Sequence, residues 1–540
     1  DTTETGDFSE CGEKDARDLR FLTLRASSDP QFCSHRGCTP DSGCFYKKAR
    51  KEAADADLLV VNHALLAIEL FQDGRLLPSF ESLIIDEAHA FLTTSLDHLT
   101  LRVGVRRLRG IKERMPGPSA PTFLKEGEGE ARWKAVMRAV KGLEACEPYF
   151  GAANGKKPGG DPRQTFETAE EIDHLCPAGF RKVVHGLGTL DADIAVLENH
   201  MSSHPEADHP HALGFAAGLS RFRDEVVSAR QDLDQLLNPD ENDRDVVHWK
   251  EWSGEHFDLC RSPLEVGPHL TPALMRGPTR VVFTSATLAT GEDFGFFSRE
   301  TGLGERLHAV AYPSPFAYEE QSAVIALKNG PDPRDSNFPK STAKVLGDLV
   351  HEPNRKTLAL FTSYRDLNQT HKALRDHPAL QESTILAQGE GQSPAELLER
   401  FRDLPHGVLL GTASFWQGID LPGDALEILV ITRLPFGVPT DPRLKARSER
   451  VEAAGGNAFM DLYLPEAVLK FKQGFGRLIR RRSDRGVVLV LDPRFLGKGY
   501  GRRFAKALPV PVQEALSVDE LVEKTRRWWA TGTLETEKTR

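Results

Sequence analysis

The chain has 540 residues, with 69 Lys and Arg against 79 Asp and Glu, and a formal net charge of -10 at pH 7. That length is too great for one hydrophobic core and predicts two or more domains. The net charge excludes a global attraction to nucleic acid or to an anionic membrane, so such a partner would have to bind a local patch. The sequence has no apolar run of ~20 residues and no secretory signal at its start, which indicates a cytoplasmic protein without a membrane partner.

The first 50 residues are polar, and they carry four of the seven cysteines. The spacing is C-x21-C-x4-C-x5-C, formed by Cys11, Cys33, Cys38 and Cys44. An odd, unevenly placed set does not suit a disulfide framework, and a clustered quartet in a cytosolic chain indicates a metal centre. Thiolates bind both zinc and iron-sulfur clusters, and spacing alone does not separate the two, although paired C-x2-C knuckles are absent. The other three are expected to be inert buried thiols: Cys146, Cys176 and Cys260.

Two apolar runs begin an α/β domain after the cysteines. They are "DLLVVNHALL" (57–66) and "SLIIDEAHAF" (82–91). Each run has the length of a strand buried on both faces of a parallel sheet. Such runs then become scarce between about 96 and 275, and they return at "TRVVFTSATL" (279–288).

The interrupting region contains an apolar seam at alternating steps of four and three. Its members are Phe215, Leu219, Phe222, Val226, Ala229, Leu233 and Leu236. This spacing predicts a long helix packed lengthwise on another helix. An ordinary helical bundle and a helical arm inserted into the sheet domain both fit the seam, and the return of strand-like sequence after it favours the insertion.

A second α/β pattern runs from about 300 to the end. Strands are predicted at 356–364, 407–415, 426–436 and 486–494. Amphipathic stretches such as "SPAELLERFRDL" (393–404) separate these strands, as in successive βα units.

Two adjacent carboxylates, Asp86 and Glu87, follow the run "SLII". One carboxylate at a strand end can hold Mg²⁺ while the other orients or deprotonates the attacking water in nucleotide hydrolysis. For the tetrapeptide DEAH (86–89) alone, the alternative interpretation is a solvated turn after a strand. The hydroxyls of Ser285 and Thr287 follow another apolar run and could link a nucleotide site to a nucleic-acid site, although a simple turn at the end of a strand is the favoured interpretation of the tripeptide alone.

Two further stretches add polar groups to strand and helix ends. "GTASFWQGIDLPG" (411–423) places glycines, hydroxyls and Asp420 at the end of a strand. In "QGFGRLIRRRSDRG" (473–486), steps of four and three predict Gln473, Arg477 and Arg480 on one face of one helix. Paired guanidinium groups of this kind can act as arginine fingers on a transferring phosphoryl group, whereas a solvated charged face is the simpler alternative.

In this order the motifs DEAH, SAT, "LFTSY", "SFWQGID" and "QGFGRLIR" resemble motifs II to VI of the superfamily 2 helicases. The tryptophan in "FWQGID", the "VVNHALL" stretch after the cysteines and the long insertion before SAT narrow the resemblance to the iron-sulfur helicases of the XPD/DinG group. The closely spaced cysteine trio is more similar to bacterial DinG. The resemblance covers residues 11 to about 495.

The resemblance implies an α/β fold with two RecA-like motor domains, and with an Fe-S cluster domain and a helical arch inserted in the first. The boundaries expected from it are 1–51 for the cluster domain, 52–95 and 276–300 for motor domain 1, 96–275 for the arch and 301–540 for motor domain 2. The activity implied is that of a 5′→3′ DNA helicase driven by ATP and Mg²⁺, with a role in DNA repair or replication conflicts.

The resemblance also implies a role for each matching residue. Asp86 would bind Mg²⁺ and Glu87 would activate water, while Arg477 and Arg480 would act on the phosphates. Nucleotide contacts are expected from Gly418, Asp420 and Gln473. DNA contacts are expected from Ser285, Thr287, Ser363, Tyr364, Thr412, Ser414 and Trp416. The ligands of a [4Fe-4S] cluster would be Cys11, Cys33, Cys38 and Cys44. Phe45 and Tyr46 would either stack on bases or pack within the cysteine domain.

The expected partners are single-stranded DNA and forked or tailed duplex DNA, with single-stranded DNA-binding protein as a further candidate, and a monomer is expected. No phosphate-binding G-x-x-x-x-G-K-[ST] loop occurs in the 540 residues. In the XPD/DinG group this loop lies before the first cluster cysteine, so the expectation is that it precedes Asp1. Two alternatives stay open: an XPD-like helicase of another role, and a single-stranded DNA-binding module without catalysis.

Overall fold

The computed structural model describes residues 44–71, 76–116, 120–159, 161–289, 293–351, 355–376, 385–416 and 425–534. Within these ranges the strands form a two-stranded, a four-stranded and a seven-stranded sheet. The two-stranded and seven-stranded sheets are parallel, and the four-stranded sheet is antiparallel. None of the helices in these ranges combines the length and the apolar character needed to cross a membrane.

The first α/β part begins with four elements: α1 (Phe45–Asp55), α2 (His63–Phe71), β1 (Ser82–Ile85) and α3 (Ala88–Leu99). The strand predicted after Asp57 is wrong: residues 56–62 contain no helix or strand, and Leu58 and Val60 are 80% and 86% exposed. A strand needs a neighbour for its backbone hydrogen bonds, and apolar composition alone does not supply one. Instead, Asn62 caps α2 by accepting a hydrogen bond from Leu65 N at 2.8 Å.

An inserted region, residues 101–263, mixes helices with a sheet. Its elements are β2 (Leu101–Gly104), α4 (Val105–Glu113), α5 (Gly127–Glu144), β3 (Arg163–Phe166), α6 (Ala169–Leu175), α7 (Arg181–Ser202), α8 (Pro210–Leu237), β4 (Val246–Ser253) and β5 (His256–Pro263), with 3₁₀ turns at Thr122–Leu124, Glu147–Phe150 and Ala152–Asn154. The predicted apolar seam is confirmed, because all seven of its residues are buried on α8, which packs along α7. The antiparallel sheet, in the order β2-β5-β4-β3, was not predicted.

The first α/β part resumes with α9 (Gly267–Arg276), β6 (Arg280–Phe283) and α10 (Gly295–Thr301). β1 and β6 pair in parallel, with Ile85 opposite Phe283, so their carboxyl ends lie side by side. One face of this pair packs on α3 and α9 through an apolar cluster that includes Ile85, Phe91 and Leu270. This pairing joins residues that are almost 200 positions apart in the sequence and brings the DEAH and SAT motifs together.

The second α/β part is built on the seven-stranded sheet, in the order β13-β7-β12-β11-β8-β10-β9. Its strands are β7 (Ser322–Leu327), β8 (Lys356–Leu360), β9 (Ile385–Ala387), β10 (Gly407–Gly411), β11 (Ile428–Ile431), β12 (Gly486–Val490) and β13 (Val512–Ala515). Its helices are α11 (Tyr318–Gln321), α12 (Phe338–His351), α13 (Tyr364–Arg375), α14 (Pro394–Asp403), α15 (Ala413–Trp416), α16 (Pro442–Ala453), α17 (Leu464–Phe475), α18 (Arg494–Gly497), α19 (Gly501–Lys506) and α20 (Val518–Thr531). A 3₁₀ turn, Gly304–Arg306, precedes these elements, and a π-helical turn, Phe459–Tyr463, leads into α17.

The central strands of this sheet are buried on both faces, as their continuous apolar sequence predicts. Leu358 and Leu360 of β8 belong to one apolar cluster, whereas Ala359 between them belongs to the cluster on the opposite face. The four predicted strands are confirmed as β8, β10, β11 and β12, each shorter than its apolar run. Their carboxyl ends point toward one edge of the sheet, where "LFTSY" and "GTASFW" follow.

Candidate active site

The carboxylate pair lies where β1 and β6 end. Thr284 N donates to Ile85 O at 2.9 Å, and Ala88 N donates to Thr284 O at 3.1 Å, so the turn after each strand is bonded to the other. The Asp86 carboxylate is exposed and accepts from Glu87 N at 2.9 Å. The sequence therefore folds so that Asp86 and Glu87 stand beside the hydroxyls of the SAT motif.

Glu87 is the one non-glycine residue of the described ranges with a positive φ, at φ 46 and ψ 46, and it is the N-cap of α3. A left-handed conformation costs a residue with a Cβ roughly 1 to 2 kcal/mol, and such strain is often concentrated at functional sites. The Glu87 side chain is 61% exposed. Its strained backbone therefore presents a carboxylate to the space beyond the strand ends.

A network of hydrogen bonds joins Glu87 to the SAT motif and to His89. Ser285 Oγ donates to Glu87 Oε2 at 3.1 Å, and His89 Nδ1 lies 2.8 Å from Ser285 Oγ and 3.2 Å from Thr287 Oγ1. Because the single proton of Ser285 goes to the carboxylate, His89 Nδ1 carries a proton and donates it to Ser285. The imidazole therefore fixes the direction of the Ser285 hydroxyl.

Burial lowers the pKa of His89, and the nearby positive charge of Arg477 lowers it further. The carboxylates of Glu87 and Asp86 oppose this shift, and the net pKa stays below the ordinary value. His89 is therefore neutral at neutral pH and serves as a hydrogen-bond donor rather than as a cation.

His63 holds the same turn from the other side. Its Nε2 lies 2.8 Å from Asp86 O, and its ring packs edge-on against Phe91 with 5.4 Å between centroids. Sequence reasoning missed both His63 and His89 as site residues, although each stands inside a quoted motif. The missed signal was the position of each histidine near a helix start, His63 directly after the cap Asn62 and His89 two positions after the cap Glu87.

The network crosses from the first α/β part to the second. Gln473 Nε2, near the end of α17, donates to Thr287 Oγ1 at 3.3 Å. Arg477 Nη2 donates to Trp416 O at 3.1 Å, and its charge acts on the pKa of His89. Gln473 and Arg477 thus lie beside the DEAH and SAT motifs.

The prediction that Gln473, Arg477 and Arg480 share one helix is wrong. α17 ends at Phe475, and Arg477 N and Leu478 N donate to the carbonyls of Gly474 and Phe475 in a tighter turn. Two glycines in this stretch weaken the helix. Beyond the turn, the Asp484 carboxylate accepts hydrogen bonds from the backbone N–H groups of Arg480 and Arg481, each at 2.8 Å. Arg480 therefore stands on a loop fixed by Asp484, with its side chain half-buried.

Ser363 and Tyr364, predicted to contact DNA, begin α13. Ser363 Oγ accepts from Asp366 N at 3.2 Å and donates to Asp366 Oδ2 at 2.8 Å, so this hydroxyl caps the helix. Asp366 is in turn paired with Arg433 at 3.1 Å. Tyr364 is half exposed and remains a candidate for a DNA contact.

The predicted DNA contacts of Thr412 and Trp416 are not supported, because both side chains lie in the core. Thr412 donates to Gln388 Oε1 from its N–H and from its hydroxyl, each at 2.8 Å. Trp416 is 5% exposed, and its Nε1 donates to Phe361 O at 3.3 Å. Its ring fills the space above Gly474, where a Cβ would lie 2.9 Å from the ring edge. The tryptophan of "FWQGID" positions α17 instead of meeting a base.

Several predicted site residues fall outside the described ranges: Cys11, Cys33, Cys38, Gly418 and Asp420. The side chain of Ser414 also lies outside them. Cys44 is described as a half-buried free thiol at the N-cap of α1. Across the described ranges no group of three or more His, Cys, Asp or Glu side chains is placed to bind a metal ion. The prediction of a cluster bound by four cysteines is therefore untested.

The three scattered cysteines are buried thiols, as predicted: Cys146, Cys176 and Cys260. Burial raises the pKa of Cys176 to about 11 and that of Cys260 to about 12. Because only the thiolate is reactive, these side chains act as small apolar groups.

Comparisons with known proteins find similarity to helicases along most of this chain. The family model described as "Helicase C-terminal domain" matches residues 346–510. The chain is 32% identical over 514 residues to the ATP-dependent DNA helicase YoaA of Haemophilus influenzae, covering 94% of this chain and 75% of the relative. It is 29% identical over 533 residues to the ATP-dependent DNA helicase DinG of Photobacterium profundum, covering 89% and 72%.

Among solved structures, one titled "XPD_Helicase" superposes with a TM-score of 0.54 at 14% identity, covering 95% of this chain and 85% of that chain. A second, "XPD_APO", has a TM-score of 0.51 at 15% identity. At these identities the likeness concerns the fold alone, and it supports an α/β fold with parallel sheets.

Proposed function

Because the chain belongs to the YoaA/DinG family of ATP-dependent DNA helicases, we propose that it couples ATP hydrolysis at the DEAH turn to the separation of duplex DNA. The observation that carries this proposal is the hydrogen-bonded chain from Glu87 through Ser285 and Thr287 to Gln473. It connects a candidate general base in one α/β part with a helix of the other.

The charged residues in and around this network would each have a role in ATP hydrolysis. Asp86 would hold Mg²⁺, which supplies charge neutralisation on the transferring phosphate when it is bound with ATP. One Glu87 oxygen accepts the Ser285 hydroxyl, and the exposed carboxylate can accept a proton from the attacking water. Arg477, half-buried beside His89, would stabilise negative charge on the phosphates, and Arg480 would be a second cation from the same loop.

A change of hydrogen bonding during hydrolysis could transmit the state of the nucleotide site from one motor domain to the other. A change in the charge of Glu87 alters the acceptor of the Ser285 proton, and Ser285 Oγ lies 3.3 Å from Thr287 Oγ1, which accepts from Gln473. Protonation of Glu87 would therefore let the Ser285 hydroxyl donate to Thr287 Oγ1 instead, which would compete with the bond from Gln473 and let the two parts separate. Alternating closure and opening would move single-stranded DNA through the enzyme.

The finer features are part of the same proposal. They are a 5′→3′ polarity, a role in DNA repair or replication conflicts, a preference for forked or tailed duplexes, a [4Fe-4S] cluster on the four cysteines, and a monomer acting with single-stranded DNA-binding protein. Anaerobically purified protein with iron, sulfide and visible absorbance would support the cluster, and zinc in elemental analysis would contradict it.

The substitution Glu87→Gln tests the proposed base. The amide keeps the size of the side chain and can still accept from Ser285, but it cannot take a proton from water. We expect the DNA-stimulated ATPase rate of the full natural protein to fall by about 10²-fold or more, with ATP and DNA affinities retained. An unchanged rate in Glu87→Gln would contradict the assignment of Glu87.

A single-stranded DNA-binding module without catalysis is the second candidate, favoured by the absence of a G-x-x-x-x-G-K-[ST] loop from the 540 residues. Equilibrium ATP binding distinguishes the two functions. Micromolar ATP binding that is lost when Mg²⁺ is removed supports the enzyme. DNA binding by the full natural protein without any ATP binding supports the module.

A further inference from the structure

α16 is a helix of the second α/β part that bonds to two other parts of the molecule, the first α/β part and the inserted region. Its arginines Arg443, Arg447 and Arg450 are spaced by four and three and therefore lie on one helical face. Each of these arginines pairs with a carboxylate outside the second α/β part. We refer to these three side chains as the arginine ladder.

Two arginines of the ladder, Arg443 and Arg447, pair with carboxylates of the first α/β part. Arg443 Nη1 donates to Asp97 Oδ1 at 2.9 Å, and Asp97 lies on α3, the helix that Glu87 caps. Arg447 pairs with Glu300 on α10, with the two side chains only 15% and 16% exposed. Desolvated pairs with good geometry depend strongly on both partners, because removing one leaves the other buried and uncompensated.

The third rung and the ends of the helix reach the inserted region. Arg450 Nη1 donates to Asp245 Oδ1 at 2.8 Å, just before β4. Asp441, the N-cap of α16, accepts from Arg163 of β3 at 2.8 Å. Both contacts tie α16 to the part of the antiparallel sheet formed by β3 and β4.

An apolar contact fixes α16 on that sheet. Ala446 packs against a small buried cluster formed by Val247, Trp249 and Cys260 of the inserted region and by Leu264 directly after it. Ala446 lies one residue before Arg447. At this point along the helix, α16 therefore packs on the inserted region and is ion-paired with the first α/β part.

We propose that α16 is a coupling helix, through which movement of the second motor domain against the first is transmitted to the inserted region, with Arg447 and Glu300 as its principal link. This inference rests on the proposed helicase function. Domain movement during an ATP cycle must either break contacts between the motor domains or turn about them. The shielded Arg447–Glu300 pair beside the Ala446 contact is suited to act as a pivot, whereas the exposed rungs can break and re-form.

The test compares ATP hydrolysis with strand separation in the full natural protein. Arg447→Glu places two carboxylates against each other, and we expect unwinding to fall roughly tenfold while DNA-stimulated ATPase stays within about twofold. The double variant Arg447→Glu/Glu300→Arg restores an opposite pair and should recover most of the unwinding rate.

Arg450→Glu is the matched control, because it reverses a charge on the same helix face. Its partners Asp245 and Glu265 are 76% and 39% exposed, so water and salt screen both pairs. Unwinding by this variant should stay within about twofold of the wild type. Arg450→Glu being as damaging as Arg447→Glu would overturn the assignment of Arg447 and Glu300 as the principal link.

Calorimetry gives a second readout that does not depend on activity. In Arg447→Glu the unfolding of the second α/β part should separate from that of the first, and the double variant should rejoin the two transitions. Wild-type unwinding rates in Arg447→Glu, or a folded double variant that recovers neither unwinding nor joint unfolding, would overturn the inference. A wild-type protein without ATPase and unwinding would refute the proposed function instead, and calorimetry alone would then decide the link.

Discussion

Glu87 combines backbone strain with the proposed chemistry. Its left-handed conformation is one that glycine adopts freely and that a residue with a Cβ adopts at a cost. The sequence predicted a carboxylate pair at this position, but the motif alone did not indicate the strain. The strain comes from the turn that leads from β1 into α3 beside Thr284.

Alanine is normally the more stabilising of the two residues alanine and glycine, and this strain predicts the opposite order at position 87. We expect Glu87→Gly to be more stable than Glu87→Ala by about 1 kcal/mol, because glycine relieves the positive φ that alanine retains. Both variants remove the carboxylate and should lose ATPase activity to the same degree. Urea unfolding of the two variants measures the difference, and a more stable alanine variant would contradict the strain.

His248 in the inserted region predicts a loss of stability in acid. Burial, aided by the charge of Arg261, lowers its pKa to about 4, and its Nε2 is buried without a hydrogen-bond partner in the described ranges. The unfolded state, with a pKa near 6.5, binds the proton more tightly, so stability is lost as the pH falls from 6.5 to 4. The loss attributable to His248 should reach about 3 kcal/mol at pH 4.

The measurement is the free energy of unfolding against pH for the wild type and for His248→Gln, which cannot gain the charge. The variant should show a shallower decline below pH 6.5. Parallel curves for the two proteins would mean that His248 is hydrated or protonated in the folded state.

At the scale of elements, apolar periodicity predicted α8 and four central strands because the spacing of their own apolar residues marks the faces that are buried. It failed at residues 57–62, where an apolar run has no strand partner within the described ranges. It also failed in the inserted region, where β4 carries His248 and Lys250 among its buried residues and does not read as a strand. Partners distant in sequence decide both cases.

The "QGFGR" turn shows why residue spacing alone misplaced the arginines. Gly474 approaches the Trp416 ring too closely for a Cβ, whereas Gly476 has ordinary right-handed angles, φ −61 and ψ −8, and no side chain nearby. One glycine is therefore required by packing, and the other is not.

The two glycines give a matched pair of variants. Gly474→Ala should destabilise the second α/β part by about 1 to 3 kcal/mol, since the new methyl group meets the Trp416 ring. Gly476→Ala should be neutral or stabilising by up to about 1 kcal/mol, since alanine fits the local angles. Chemical denaturation of both variants provides the comparison, and equal effects would show that the ring can move away.

At the scale of the whole molecule, the active-site network exists only because β1 and β6 meet across an insertion and because α17 approaches them from the other α/β part. The motif order identified the family and the members of the network, since each motif follows its own strand or helix. Which side chains face the site could not be read from the motifs. Trp416 and Thr412 face the core, while His63 bonds to the backbone carbonyl of Asp86 and His89 bonds to the hydroxyl of Ser285.

The most direct test of the account is strand separation by the full natural protein on a duplex with a 5′ single-stranded tail, in the presence of ATP and Mg²⁺, for the wild type and for Glu87→Gln. We expect the wild type to release the strand and Glu87→Gln to bind the tail without releasing it. Equal strand release by the two proteins, or release only from a 3′-tailed duplex, would contradict the account.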